Sequence, residues 1–438
     1  MTLAIVRPRS VAPAVPTMGA VLAAFGSALL LERLAHLGTD VVMQAVVLSV
    51  TLSRTQRDTA TADRMTGFVV LPLVSVLAIA LGTLMSGSPI AGDAAFVVLI
   101  ASAIWIRRFG PRLTRAGTLM MLPAIALLVV PHTRSSGHLL WAPVVALIAC
   151  FWVTAFQVLA DRLATAKAPA PEARQGRSRA SGRMAAQMAV ALVGAFTAGH
   201  LVFPDHWSWV VLTSFIVCNG ALGQGDALHK GILRALGATG GTLLAALVAG
   251  TFAPGSRGSV ALIFVVLGVA VWLRPRNYAY WAGGVTAALS LLYGYFGQPA
   301  MPLLWTRMEA ILVGAVIGVA SAWFVLPFRT RDVLRRRAAG ALAVLPEVLK
   351  GEPGALTRFE VSVAELDKLY PPLRMHRAIT RKSPHHADVV DLLRGIRSHL
   401  VTDAPSISAI DAAVAGIREI CTPPKRAQAT PDAARPDA

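Results

Sequence analysis

Charge is scarce in this sequence of 438 residues. Only 15% of positions carry Asp, Glu, Lys or Arg, which excludes the polar, surface-rich composition of a water-soluble protein of that length. Acidic residues are scarcer still, 23 against 41 basic ones. Cysteine is nearly missing: Cys150 and Cys218 fall in apolar stretches and Cys421 near the C-terminal end, so neither a disulfide framework nor a metal-ligand spacing is visible. No Walker A motif, glycine-rich nucleotide loop, HExxH or nucleophile elbow appears, which removes the usual engines of ATP hydrolysis and covalent catalysis; no enzyme is expected. His385 and His386 have no further Cys or His at metal spacing, so neither a metal nor a cofactor is expected.

What the chain has instead is apolar length. Hydrophobic residues make up 55% of it and its mean hydropathy is +0.61, so a bilayer is the expected solvent. Stretches of roughly 16 to 22 apolar residues, enough at about 1.5 Å per residue to cross much of the hydrocarbon core, number about twelve. The first six run near residues 17–34, 39–52, 67–85, 93–106, 116–130 and 139–160. The second six run near 184–203, 207–220, 237–253, 260–273, 278–296 and 303–326. The basic N-terminus is followed by an apolar run and then by Glu32 and Arg33 without a small-residue cleavage site, so it reads as an uncleaved first span.

The formal charge of +18 would suggest nucleic acid in a soluble chain, but the basic residues alternate with the spans. Arg7 and Arg9, then Arg54, Arg57 and Arg64, then Arg107, Arg108, Arg112 and Arg115, then the stretch from Arg162 to Arg183 fall at every second boundary. Lys230, Arg234, Arg274 and Arg276 continue the series, whereas the opposite loops hold Arg33, Arg134 and Arg257. This bias places both termini and the central linker in the cytoplasm and sets topology rather than a nucleic-acid site.

Three landmarks occur twice. Ile104-Trp105-Ile106-Arg107 recurs as Val271-Trp272-Leu273-Arg274, Leu139-Leu140-Trp141 as Leu303-Leu304-Trp305, and Gln56-Arg57-Asp58 as Gln224-Gly225-Asp226, at nearly constant offset. The expectation is an all-α membrane protein of about twelve transmembrane helices, arranged as two parallel six-helix repeats with a pathway between them, plus a small cytoplasmic helical domain. The segments are a first repeat over 1–163, a basic linker over 164–182 that reads as disordered, a second repeat over 183–328, amphipathic helices over 329–422, and a disordered tail over 423–438.

In the second half, Pro204-Asp205-His206-Trp207 opens a short span, and Arg234-Ala-Leu-Gly237-Ala-Thr-Gly240-Gly241 opens the next. These residues resemble the fusaric acid resistance and aromatic acid exporter family, which starts its second span with Pro-His-aromatic and its third with Arg-x-x-Gly-Thr-x-x-Gly. Arg234, Gly237 and Gly241 match, while Ala238 stands where the family has Thr; the first half keeps only Arg64 and Gly67 of that pattern. The resemblance covers about residues 183–326. It implies efflux of aromatic or other organic carboxylates across a bacterial inner membrane, in some members with a periplasmic adaptor. It also implies a distant likeness to plant malate channels built as dimers, so a channel and a homo-oligomer stay open as alternatives. A membrane scaffold and a membrane-embedded enzyme acting on lipid substrates are the remaining readings; for the latter the chain offers few clustered polar residues.

Several residues are candidates for a pathway. Arg307 and Glu309 lie just inside the last span, where ionised groups are costly, and two residues on a helix turn them to nearly opposite faces. Arg307 either snorkels to the interface or faces a cavity; Glu309 is the best-placed carboxylate for a coupling proton if transport is proton-driven. Arg107 and Arg274 sit at equivalent ends of the fourth spans, either as ordinary anchors or as a mouth that concentrates anions. His206, beside Asp205 and Trp207, is either interfacial or a proton shuttle. Gly237 and Gly241, with Gly240 beside them, form a G-x-x-x-G pair that suits close helix packing.

Overall fold

A computed structural model describes residues 14–56, 61–129, 141–163, 180–221, 223–248, 251–297, 300–326, 330–380, 384–401 and 406–422. Arg7, Arg9, Arg57, Asp58, Arg134, Leu139, Leu140, most of the basic linker and the tail from residue 423 lie outside the described residues. The chain divides into two compact units, Met1–Pro327 and Phe328–Ala438. Among the described residues both are built from helices alone.

The first unit holds twelve helices: α1 (Ala14–Ala35), α2 (Thr39–Gln56), α3 (Thr61–Gly87), α4 (Pro89–Trp105), α5 (Pro111–Val129), α6 (Ala142–Leu163), α7 (Ala180–Val202), α8 (Trp207–Cys218), α9 (Gln224–Val248), α10 (Arg257–Leu273), α11 (Tyr278–Tyr295) and α12 (Ala300–Phe324). Local chemistry explains several ends. The Ser256 hydroxyl accepts the Ser259 N–H at 3.2 Å before α10, and the Asn277 side chain accepts the Ala279 N–H at 2.9 Å before α11. After α4 the chain tightens into a 3-10 turn, Ile106–Phe109, and Gly110 at φ 129° delivers it to Pro111, the first residue of α5. Pro72 and Pro123 lie inside α3 and α5, where soluble helices would break.

Each apolar stretch read from the sequence overlaps one helix, yet among the described residues seven helices, rather than twelve, are by themselves long and apolar enough to cross a membrane. They are Ala14–Ala35, Arg64–Gly87, Pro89–Phe109, Ala142–Leu163, Ser181–Val202, Gln224–Val248 and Trp305–Phe324. The difference has a physical reason. At 12 residues α8 is about 18 Å long, well short of a hydrocarbon core of about 30 Å. α10 is apolar but short, α2 carries Gln44, Ser49, Ser53 and Arg54, and α5 begins with Arg112 and Arg115. Outward-facing side chains are apolar on several long helices, such as Val69 and Leu73 on α3 and Leu243 and Leu247 on α9. A surface of that kind belongs against lipid. The first unit is a multi-span membrane protein.

Packing follows a regular order. In the first six helices α1 packs on α2 and α6, α2 on α6, α3 on α5 and α6, and α4 on α5. In the second six α7 packs on α8 and α12, α8 on α12, α9 on α11 and α12, and α10 on α11. The two sets touch through α4 on α7, α1 on α10 and α5 on α8. α8 is enclosed along most of its length, with Trp209, Val210, Val211, Leu212, Phe215 and Val217 all buried.

The second unit is a small bundle of α13 (Thr330–Leu349), α14 (Ala355–Asp367), α15 (Tyr370–Thr380), α16 (His386–Val401) and α17 (Ile407–Cys421) around Leu334, Phe359, Leu366, Leu393, Ile396 and Ile410. Arg377 donates to Asp388 at 2.7 Å and to Asp391 at 2.8 Å, joining α15 to α16. Burial alone would raise the Asp388 carboxyl, but the His385 backbone N–H and the Arg377 guanidinium hold it below its ordinary value.

Candidate functional site

On α12 the buried face repeats at Arg307, Ile311 and Gly314 while Trp305, Glu309, Leu312 and Val316 turn outward. That is the helical period at work, and it decides the fates of the two charged residues near the start of the helix. Arg307 is 2% exposed and enclosed; Glu309 is exposed on the other side.

The enclosed side opens onto a small cavity lined by Leu128 of α5, Trp209 and Leu212 of α8, Arg234 of α9, Leu289 and Tyr293 of α11, and Arg307 and Ile311 of α12. Arg307 donates to the Ser290 hydroxyl at 3.5 Å, and its guanidinium carbon lies 5.4 Å from the Trp209 ring centre and 5.8 Å from that of Tyr293. These rings offer their negative faces to the cation and leave its Nε without a hydrogen-bond partner. Arg234, 3% exposed, reaches the same space from α9, and its Nε is also without a partner. No carboxylate lines the cavity, and neither arginine forms an ion pair among the described residues.

Two buried guanidiniums facing one space without an acid is an expensive arrangement. Each desolvated ion costs several kcal/mol, and like charges add to it. Because a guanidinium keeps its proton and presents a planar fork of donors, a carboxylate placed between the two offsets that cost with charge-assisted hydrogen bonds. The interior measures ≈ 10 Å³, room for about one water, so an organic anion enters only if α8, α9, α11 and α12 shift.

Arg64 provides the contrast. It too is 2% exposed, but Asp161 of α6 accepts from it at 2.6 Å, so its charge is answered within the chain. Its Nε and Nη1 lack partners, as the Nε of Arg107 does, but among the described residues the nearly sealed arginines without an ion pair, Arg234 and Arg307, lie in the second set of helices.

The remaining candidates fall in different places. His206 caps α8 with its ring 4.3 Å from that of Trp209, one layer from the cavity. Arg107 lies in the 3-10 turn after α4 and donates to the Met121 sulfur at 3.5 Å, while Arg274 caps α10 and sits 4.7 Å over the Trp281 ring. Neither lines the cavity. Gly237 and Gly241 face α11: a Cβ on Gly237 would strike the Ala279 carbonyl and one on Gly241 the Gly283 carbonyl, whereas Gly240 faces open space. A second pair at the same spacing, Gly314 and Gly318, lets α12 approach Val210 and Ser214 of α8. The four-residue spacing of that pair is visible in the sequence, whereas nothing in the sequence marks Trp209 and Tyr293 as cavity walls. Among the described residues no three His, Cys, Asp or Glu side chains converge as a metal site would require.

The stretch that builds this cavity also carries a family signature. Residues 188–321 match the fusaric acid resistance protein-like family. The match takes in most of α7 through most of α12, and with them Trp209, Arg234, Tyr293 and Arg307; Leu128 and the other first-set residues lie before it. Neither a curated protein nor a solved structure matches the chain. The fusaric acid resistance protein-like domain is therefore the part of this multi-span protein that holds both unanswered arginines.

Proposed function

We propose that the protein is an efflux transporter of aromatic or other organic carboxylates, driven by the proton motive force, with the cavity between Arg234 and Arg307 as its anion checkpoint. The observation that carries this reading is the pair of buried guanidiniums without an acid, flanked by Trp209 and Tyr293, inside the matched domain. A flat aromatic acid suits a site with cations for its carboxylate and rings for its face. A fusaric acid resistance-like domain supports an export role. The small interior favours a transporter that opens by helix movement over a standing channel.

The wider arrangement we propose is two parallel repeats of six helices in a bacterial inner membrane, with both termini cytoplasmic. The packing order supports it: α1, α2, α3 and α6 pair as α7, α8, α9 and α12 do. The fourth helix of each set meets the first helix of the other, α4 on α7 and α10 on α1, as a two-fold relation requires. In this frame α8 is a short buried helix that starts beside the end of α7, the kind of element that transporters place beside a substrate.

The test is export. In cells expressing wild-type protein and equal amounts of Arg307→Gln or Arg234→Gln, resistance to a panel of aromatic carboxylates falls with either substitution. Loss of one charge-assisted hydrogen bond, worth about 1.5–3 kcal/mol, corresponds to roughly a 10- to 150-fold weaker apparent affinity. Unchanged resistance and affinity in both variants contradicts the reading.

A further inference from the structure

The two sets of six helices are joined unequally. Where α1 meets α10 the junction holds an edge-to-face pair, Phe25 and Phe264, with ring centres 4.8 Å apart. Where α4 meets α7, it holds an acid and a base: His200 Nε2 lies 2.7 Å from Asp93 Oδ2. Asp93 is near the start of α4 and His200 near the end of α7, so the contact ties one end of the first set to one end of the second. The carboxylate is 15% exposed and the imidazole 37%, so the acid is partly buried while the base reaches the surface.

The setting holds the imidazole in place. Its ring stacks on Phe196 at 6.2 Å and tilts against Trp207 at 5.2 Å, and Gly199, whose Cβ would lie 3.0 Å from that of Trp207, brings the start of α8 against α7. Movement of the pair is thereby linked to the helix that carries Trp209 to the arginine cavity. Other ionisable groups near this end are Asp205 and His206 in the turn before α8, and Arg307 and Glu309 on α12, which packs on α7. On the elements packed against α4, α3 ends in Met85 and Ser86 without a charge, and Arg112 and Arg115 of α5 lie beside the far end of α4, as do Arg107 and Arg108.

We infer that Asp93 and His200 form the proton-binding site that couples the gradient to export; this rests on the transport reading above. In the topology proposed there, the pair faces the exterior, where the driving proton enters. With His200 protonated and Asp93 ionised, a charge-assisted hydrogen bond holds the two sets together at that end. A further proton taken up on the Asp93 carboxylate leaves a neutral acid facing a cation, removes the ion pair and lets the two sets separate. Arrival of the proton is thus exchanged for movement of the wall that carries α8; release of that proton from the Asp93 carboxyl to the cytoplasmic side re-forms the ion pair with His200 and resets the junction, so that one proton moves inward per cycle.

Purified full-length protein in proteoliposomes tests the inference, with radiolabelled benzoate as probe. Asp93→Asn and His200→Gln each lose accumulation driven by an imposed pH gradient while retaining benzoate–benzoate counterflow, which needs no net proton movement. Retained gradient-driven accumulation in both variants overturns the inference. So does joint loss of accumulation and counterflow, which makes the pair a structural contact, and so does loss of coupling in Glu309→Gln with coupling intact in His200→Gln. Absence of counterflow in the wild type sinks the transport reading instead, and the proton site is then read by infrared spectroscopy. A protonated-carboxyl band that appears on acidification of the wild type is absent in Asp93→Asn if the site is real; an identical band in that variant overturns it.

Discussion

Arg64, Arg234 and Arg307 are all nearly sealed from solvent, and what distinguishes them is the company each keeps. Asp161 answers Arg64, so removing that arginine breaks an ion pair. Nothing in the cavity answers Arg307 beyond the Ser290 hydroxyl and two ring faces, so removing it relieves an uncompensated charge. Arg307→Met should therefore match or exceed the wild type in stability, by up to about 1–4 kcal/mol, while export falls. Arg64→Met should lose stability, by about 1 kcal/mol, because Asp161, 40% exposed, regains water when it loses its ion pair. Thermal melting in detergent checks both, and an Arg307→Met protein that melts below Arg64→Met would show that Arg307 is a structural residue.

Among the elements, α9 and α11 show how small residues set a distance. Gly237 and Gly241 press against carbonyls of Ala279 and Gly283, and Gly283 in turn lies 2.9 Å, measured from its Cβ position, from the Gly237 carbonyl oxygen. Gly241→Ala must spread the two helices and should cost about 1–3 kcal/mol. Gly240→Ala meets open space and should be neutral or gain about 0.5–1 kcal/mol from helix propensity. Melting of the two variants separates these outcomes; equal effects would show that the close approach is not tight. The helices themselves were legible in the sequence, because apolar runs of this length have few alternatives. The role of α8 was not: a helix sealed inside protein and one facing lipid read equally apolar. The 200° between Arg307 and Glu309 told that they point apart, but which of them points inward depends on what α8 and α11 bring alongside. The Asp93–His200 contact spans 107 positions, and a single sequence holds no signal for pairing at that separation.

At the scale of the whole molecule, the first unit combines a repeated packing order with an asymmetric distribution of charge. The helices of α1–α6 and of α7–α12 pair in a similar order, and the two sets meet at α4–α7 and α1–α10. The matched domain supplies the unanswered cations, and the first set contributes Leu128 to the same cavity. Transport then needs an anion to satisfy Arg234 and Arg307 and a movement that opens a space now large enough for about one water. Equilibrium binding of aromatic carboxylates to the purified protein, by calorimetry, measures the first of these requirements without relying on the second unit, a topology or a coupling ion. The account predicts saturable binding to the wild type that is lost in Arg234→Gln and in Arg307→Gln and kept in Arg64→Gln. Equal affinity for the wild type and for both cavity variants would contradict it.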